Sequence, residues 1–513
     1  MGEGKRSLQT KSEPSEPMIV DTPGGRVHVH WDMQASATPA AQLTFFAEFL
    51  QTTGLWDAWV SSCPIRYTSP NAPLLVDVLG TWLLAILSGH KRYSHITGLR
   101  GDKVSAQLLG MSKIVSEDAL RRALSRMDEE QSSQWLCAHL LASVKPALER
   151  PWILDIDTTI KPLYGHQEGA LIGYNPKKPG RPSHALHTYW VGNLRLVLDV
   201  AITPGNESSS KQSQPRLMEL LDGFTPEERP QLVRGDCGFG NDPFIIKLEE
   251  RNQPYLFKLK QTKLVKKLLE KLFNRDDWSE PKAADQGWSA IESTLKLTGW
   301  EKERRVVVLR RQVKADIALS QNTHSEGGNT QIELLYPDHD VRAWEYAVLV
   351  TNSELELAAF GQLYRDRADA ENGFDELKNQ WGWGGFTTQD LERCQTSARA
   401  VALVYNWWSW YCRAAKPGKR MEAITSRALL LAGVGRATQH ANQTTIHLTP
   451  MHAAKEKLIG LVANVRKALA HVRESAEQLL NSDPWRLFLD YVIAKIMLTL
   501  PKNPGASRLK LAG

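Results

Sequence analysis

The chain has no Cys-x-x-Cys pair and only five cysteines in 513 residues: Cys63, Cys137, Cys237, Cys394 and Cys412. An odd, scattered set excludes a disulfide framework and a thiolate zinc site, and it fits a reducing cytoplasm. Long apolar runs are lacking too. The most apolar one, 74–87, contains Asp77 and Gly80 and falls short of the ~20 residues a membrane span needs, so it reads as a buried helix. No secretory leader is expected; residues 1–17 are polar, rich in Ser and Pro, and read as a disordered tail. No internal repeat is visible. Neither sign of charge dominates: 63 Lys and Arg against 57 Asp and Glu leave +6, which suits a nucleic-acid partner without locating its surface.

What is present is the composition of a globular protein, 42% hydrophobic and 23% charged, at a length that suggests roughly three domains. The stretch that organises it is 364–378, Tyr-Arg-Asp-Arg-Ala-Asp-Ala-Glu-Asn-Gly-Phe-Asp-Glu-Leu-Lys. On a helix of about 100° per residue, Tyr364, Arg367, Glu371 and Lys378 fall within about 60° of one another. Leu363, Ala370, Phe374, Leu377 and Trp381 make an apolar stripe beside them, so the polar stripe sits at the rim of a buried one. One carboxylate flanked by Arg, Lys and Tyr suits a metal ion and a phosphate diester together. The alternative is a solvated face laced with intrahelical ion pairs.

Two upstream strands end in carboxylates. Residues 152–157, Trp-Ile-Leu-Asp-Ile-Asp, put Asp155 and Asp157 on one face, and Thr158 follows. Residues 231–236 end in Asp236, and the glycines after it allow a sharp turn that leaves the rim open. Further strands are expected at 184–191, 194–202 and 255–260, and helices at 214–221 and 243–251. Residues 261–345 read as a helix at 263–273 followed by β-like runs at 288–296, 304–311 and 332–336. A core strand returns at 344–351, followed by a helix at 355–381 and a long apolar helix at 392–411. Residues 18–150 read as a small hairpin and then mainly helices, including apolar ones at 40–60 and 74–88. Ser116 is placed to cap a helix at 116–127 that carries Arg121, Arg122 and Arg126. A short helix, a turn and this basic helix have the outline of a helix-turn-helix; an ordinary helical hairpin is the alternative. Lys177, Lys178 and Arg181, on the Gly/Pro-rich loop 173–182, are candidate DNA-backbone contacts, or else a solvated loop. A mainly helical region with a hairpin follows at 416–513.

The spacing Tyr-x2-Arg-x3-Glu-x6-Lys resembles the signature around the last acid of bacterial insertion-sequence transposases of the Asp-Asp-Glu type. The resemblance covers about 152–411 and includes the loops after Tyr164 and Gly173. It implies a multidomain α/β protein with an RNase H-like catalytic core, a mixed five-stranded sheet with helices at 151–260 and 346–415. A β-rich insertion at 261–345 interrupts that core, and helical regions flank it. It carries over Asp157, Asp236 and Glu371 as catalytic and metal-binding acids, and Tyr364, Arg367 and Lys378 as DNA contacts. Asp155 and Asp375 are the competing carboxylates; the strand end and the following threonine select Asp157, and the family spacing selects Glu371. The implied cofactor is Mg²⁺, two ions about 3.5–4 Å apart, with Mn²⁺ able to substitute. His166, His184 and His187 form no compact ligand motif and are read as loop and strand residues. The implied activity is DNA transposition. It comprises binding the inverted-repeat ends, hydrolysing the strands, and joining 3′-hydroxyls to target DNA by a homodimer in the bacterial cytoplasm. A nuclease without joining, or a non-catalytic DNA-binding descendant, are the alternatives.

Overall fold

The computed structural model describes residues 18–30, 32, 36–175, 178–281, 287–314, 342–441, 443–449, 454–478 and 482–499, with backbone alone at 314, 342 and 368–371. The tail at 1–17, the expected strand at 332–336 and Lys177 lie outside the described residues.

The amino-terminal strands are β1 (Met18–Thr22), β2 (Gly25–Val29) and β3 (Ala37–Thr38). The helices before the main sheet are α1 (Leu43–Thr52), α2 (Leu55–Ser61), α3 (Leu75–Leu87), α4 (Lys103–Leu108), α5 (Glu117–Leu124) and α6 (Glu129–Leu148). The apolar run expected as one helix at 40–60 breaks at Gly54, whose φ of 71° lies in the left-handed region that glycine tolerates. The run at 74–87 is α3, buried almost throughout, as its lack of a polar face demands. Ser116 caps α5 by accepting from the Ala119 N–H at 3.2 Å.

The main sheet holds β4 (Ile153–Pro162), β5 (Leu171–Ile172), β6 (Pro182–Val191), β7 (Leu196–Pro204), β8 (Leu232–Gly235), β9 (Tyr255–Lys258), β10 (Ser289–Leu295), β11 (Arg304–Lys314) and β12 (Arg342–Thr351). Its order is β10-β11-β12-β9-β8-β4-β6, with β7 and the short β5 both on β6. β4, β6 and β7 pair antiparallel, β8 and β9 join in parallel, and β12 returns antiparallel to β9. The expected five-stranded core is therefore part of a nine-stranded sheet. The segment read as an insertion lengthens that sheet, because β12 pairs with β11 over most of its length and reaches β9 through Leu349, Val350 and Thr351.

Between and after the strands lie α7 (Ser209–Asp222), α8 (Asp242–Glu249), α9 (Lys263–Leu272), α10 (Phe360–Asp366), α11 (Ala368–Gln380), α12 (Leu391–Ala415), α13 (Ala423–Leu430), α14 (Lys455–Gln478) and α15 (Pro484–Thr499). A hairpin of β13 (Gly435–His440) and β14 (Gln443–Leu448) adds β3 as its third strand. The period-two alternation of the strands feeds two apolar clusters. Ile153, Leu232, Leu256 and Leu349 meet Phe360 and Leu363 on one face of the sheet. Leu154, Ile156, Val233 and Phe257 join the larger core on the other.

β7 is an edge strand, and α12 covers it. The buried Asn406 amide accepts from the Val197 N–H at 2.9 Å and donates to the Val197 carbonyl at 2.7 Å and to Ser143 Oγ at 2.9 Å. Three turns earlier, Gln395 accepts from the Ile202 N–H and donates to the Val200 carbonyl. Two side-chain amides thus do for β7 what a neighbouring strand would do, which closes an edge that otherwise invites pairing with another chain. Asn406→Ala leaves Val197 without either partner and is expected to cost about 2–4 kcal/mol. Urea denaturation measures it, and a loss below about 0.5 kcal/mol contradicts the edge-capping role.

Candidate active site

The parallel register of β4 and β8 runs Ile153↔Leu232, Leu154↔Val233, Asp155↔Arg234 and Ile156↔Gly235. The next step sets Asp157 beside Asp236, on strands roughly 4.8 Å apart and on one face of the sheet. Each acid is oriented by a backbone donor. The Thr158 N–H donates to Asp157 Oδ1 at 2.7 Å, and the Gly238 N–H donates to Asp236 Oδ1 at 2.8 Å. Gly238 also gives the turn room, since a Cβ there would lie 3.0 Å from Asp236 Oδ1.

Two residues back, Asp155 and Arg234 form a buried ion pair, 2% and 3% exposed, with N–O distances of 2.6 and 2.7 Å in a two-pronged contact. The same guanidinium donates to the Leu363 carbonyl of α10. Asp155, the competing carboxylate in the sequence, is thus fully engaged, and the pair ties the two acid-bearing strands to the helix that leads into the signature. Such a pair is costly to desolvate and costlier to break, because removing one partner strands the other charge.

α10 and α11 are separated by Arg367 alone, which keeps helical angles (φ −66°, ψ −30°). The expected helix at 355–381 is therefore a near-continuous rod with one interrupted turn. Gly373 lets α11 lie close on the sheet: a Cβ there would meet the Trp190 ring at 2.9 Å. Buried Glu376 anchors the far side, accepting from Trp381 Nε1 at 3.2 Å, from the Ala423 N–H at 2.9 Å and from Arg420. On this rod Arg367 Nη1 stands 3.7 Å from Asp157 Oδ2.

Asp157, Thr158, Thr159, Asp236, Arg367, Phe374, Asp375, Lys378 and Asn379 line one cavity of about 360 Å³. Glu371 lies on α11 one turn before Asp375; its side chain is outside the described atoms. Asp375 is exposed and accepts from Asn379 Nδ2 at 2.7 Å. Tyr364 faces elsewhere along the rod, edge-on to Trp288 with centroids 6.2 Å apart, and beneath the Lys258 ammonium, 5.5 Å from its ring centre. Among the described residues no cluster of three or more metal-ligating side chains forms; Asp157 and Asp236 line the cavity together.

The other candidates lie off this cavity. Lys178 and Arg181 fold back on exposed Tyr164, 5.0 and 4.8 Å from its ring centre, and Lys178 donates to its hydroxyl. That hydrogen bond, with the nearby cation, lowers the Tyr164 phenol below its ordinary range. Arg121, Arg122 and Arg126 are exposed on and just after α5, with Arg121 over Tyr93 and Arg126 over Tyr67. Buried His187 contacts Thr158, Thr203 and Ser213, and burial pushes it down to about 4, so it is neutral at pH 7. The sequence reading misses Arg234. Arg234 carried a signal, a lone arginine inside an apolar strand run, in the same position relative to Asp236 as Asp155 is to Asp157.

A family model described as transposase DDE domain, group 1, matches residues 43–470. Among solved structures, a cryo-EM structure of a piggyBac transposase synaptic complex with hairpin DNA aligns over 92% of this chain and 89% of that one. At 10% identity and a TM-score of 0.34, that likeness carries no argument. No curated protein matches.

Arg234→Met is expected to cost about 3–5 kcal/mol by leaving Asp155 buried and unpaired, while Arg234→Met with Asp155→Leu recovers most of that loss. Chemical denaturation of the two variants decides it: a single variant as stable as wild type, or a double variant no better than the single, contradicts the buried-pair account.

Proposed function

The chain belongs to the transposase DDE domain group 1 family, and from that premise we propose that it is a DNA transposase. On this reading it binds the inverted-repeat ends of an insertion sequence, cuts them by metal-assisted hydrolysis and joins the freed 3′-hydroxyls to target DNA. The observation that carries the proposal is the pairing of Asp157 with Asp236 at the mouths of adjacent parallel strands, in one cavity with Arg367 and Lys378. Glu371, on the rod that supplies both cations, is the third acid. The strand order β7-β6-β4-β8-β9, three antiparallel and then two parallel, supports an RNase H-like core.

The donor set fits Mg²⁺ or Mn²⁺: it is made of carboxylates, and Asp157 and Asp236 each accept a backbone N–H at one oxygen. When bound, divalent ions supply water activation and stabilisation of the leaving oxygen near neutral pH. The rest falls to the chain's own residues. Arg367 offsets the charge of Asp157 and, with Lys378, grips phosphate oxygens of the end being cut. The Asp155–Arg234 pair and Glu376 keep sheet and rod in register, so that Asp157, Asp236, Arg367 and Lys378 share one cavity without rearrangement. Tyr364, Lys178 and Arg181, and Lys177 beyond the described residues, are assigned to DNA outside the cavity. The region 18–150, through Arg121, Arg122 and Arg126, is assigned to recognition of the ends. Two ends must meet, so the DNA complex is a homodimer, working in the bacterial cytoplasm.

Asp157→Ala, Asp236→Ala and Glu371→Ala should each still bind a labelled element end yet lose both hydrolysis and strand transfer in Mg²⁺, because one site performs both. Asp375→Ala should keep activity. Binding and cleavage are followed in parallel on the same end, and wild-type cleavage that persists in excess EDTA contradicts the metal assignment. Cutting without joining by the wild-type chain reduces the function to that of a nuclease.

Replacing Arg121, Arg122 and Arg126 together by Ala should abolish specific end binding and flatten the log–log salt dependence by about one unit for each phosphate no longer bound. A gel-shift titration with unchanged affinity and slope moves recognition to the carboxy-terminal helices.

A further inference from the structure

Lys258 ends β9, the strand beyond β8. Their parallel register, Val233↔Tyr255, Arg234↔Leu256 and Gly235↔Phe257, sets Lys258 opposite Asp236 at the next step. Three neighbouring parallel strands therefore present Asp157, Asp236 and Lys258 in a row, each about 4.8 Å from the next. The alternation puts all three on one face. Ile153, Leu232 and Leu256, an even number of residues back along each strand, share the apolar cluster on that face, whereas Phe257 joins the core behind it. The ammonium of Lys258 lies over the Tyr364 ring, 5.5 Å from its centre, and Trp288 meets that ring edge-on. Among the described residues no carboxylate lies within ion-pair distance of Lys258, although Asp236 is its strand neighbour. A half-buried cation held against an aromatic ring, three residues before Arg367 in the rod, is placed to receive an anion from outside the chain.

The plain alternative is that Lys258 only packs its stem and charge against Tyr364. Packing alone does not need a cation at the strand position that follows two carboxylates across the sheet edge. Resting on the reading that this cavity cuts DNA, we propose that Lys258 is a substrate-binding residue of the site, contacting a phosphate of the cut strand within one nucleotide of the scissile bond. Tyr364, beside its assigned DNA contact, then acts as a positioning residue: its ring holds the ammonium at the end of β9, the strand neighbour of Asp236. This gives the row a division of labour, with two acids for cations and one cation for the substrate's own charge.

The test uses the full chain and end duplexes that carry a single neutral methylphosphonate, at the scissile-adjacent phosphate or five nucleotides away. Lys258→Met keeps the apolar stem, and Lys258→Arg keeps the charge. Single-turnover cleavage by Lys258→Met should fall about 10- to 100-fold on the natural duplex, with Lys258→Arg restoring most of it. Wild type should lose a similar factor when the adjacent phosphate is neutralised, and Lys258→Met should then lose no more. Additive losses at both phosphate positions, or an undiminished rate for Lys258→Met, overturn the proposal while leaving the transposase reading intact. If the wild-type chain cleaves no end duplex, the reading itself fails, and the role of Lys258 fails with it.

Discussion

The site depends on one buried ion pair. Asp155 and Arg234 occupy the same register step on adjacent parallel strands, and the guanidinium also holds the Leu363 carbonyl. Without that tie, the two strands are joined by backbone bonds that tolerate small shifts, and the rod α10–α11 keeps its polar anchor at Glu376 on the far side but loses the one that fixes α10 to the acid-bearing strands. With it, Asp157 and Asp236 fall side by side two residues later, and Arg367 falls within 3.7 Å of Asp157. The arrangement sets charges by geometry instead of by loop flexibility. Three parallel steps of sheet and one turn of helix define where the cavity's charges sit.

A second set of polar contacts, away from the cavity, holds the scaffold. Asp199 on β7 is wholly buried between Arg399 of α12 and Arg216 of α7. Burial pushes its carboxyl up, but the two guanidiniums outweigh that and hold it below the usual range. With Asn406 and Gln395, this joins β7 to α12 by directional contacts along most of the strand. α12 carries Trp407, Trp408 and Trp410, all but fully buried, so three of the chain's 17 tryptophans are core on this one helix. Apolar packing supplies most of the stabilisation and the buried polar groups set register, since an amide or carboxylate has few acceptable partners whereas a Leu has many.

Much of the fold was legible because its signals are local. Strand-like runs, two of them ending in an aspartate, marked β4, β6, β8 and β9, and Ser116 announced the start of α5. The extent of the sheet was not legible. Whether β10 and β11 form a separate unit depends on β12 reaching two partners at once, a pairing between residues far apart in sequence. At the site, the strand-end aspartates and the wheel of 364–378 pointed to one cavity, and Asp157, Asp236, Arg367 and Lys378 line it together. The wheel set Tyr364 on the same rim. In the structure Trp288 and Lys258 engage its ring, partners that no spacing rule contains. The strand end and the following threonine already selected Asp157 over Asp155; what the sequence did not contain is the reason Asp155 is a structural carboxylate, its buried pairing with Arg234 across the strand pair.

The central claim is that Asp157, Asp236 and Glu371 converge on a shared divalent-cation site. The most direct test is iron-mediated affinity cleavage. Fe²⁺ is bound in place of Mg²⁺, radicals are generated with ascorbate and peroxide, and the backbone cuts are mapped by mass spectrometry. The account predicts cuts clustered next to Asp157, Asp236 and Glu371, all suppressed by excess Mg²⁺ and lost together in Asp157→Asn. Cuts near Asp157 and Asp236 but none near Glu371, or Mg²⁺-sensitive cuts centred on Asp375, would contradict it.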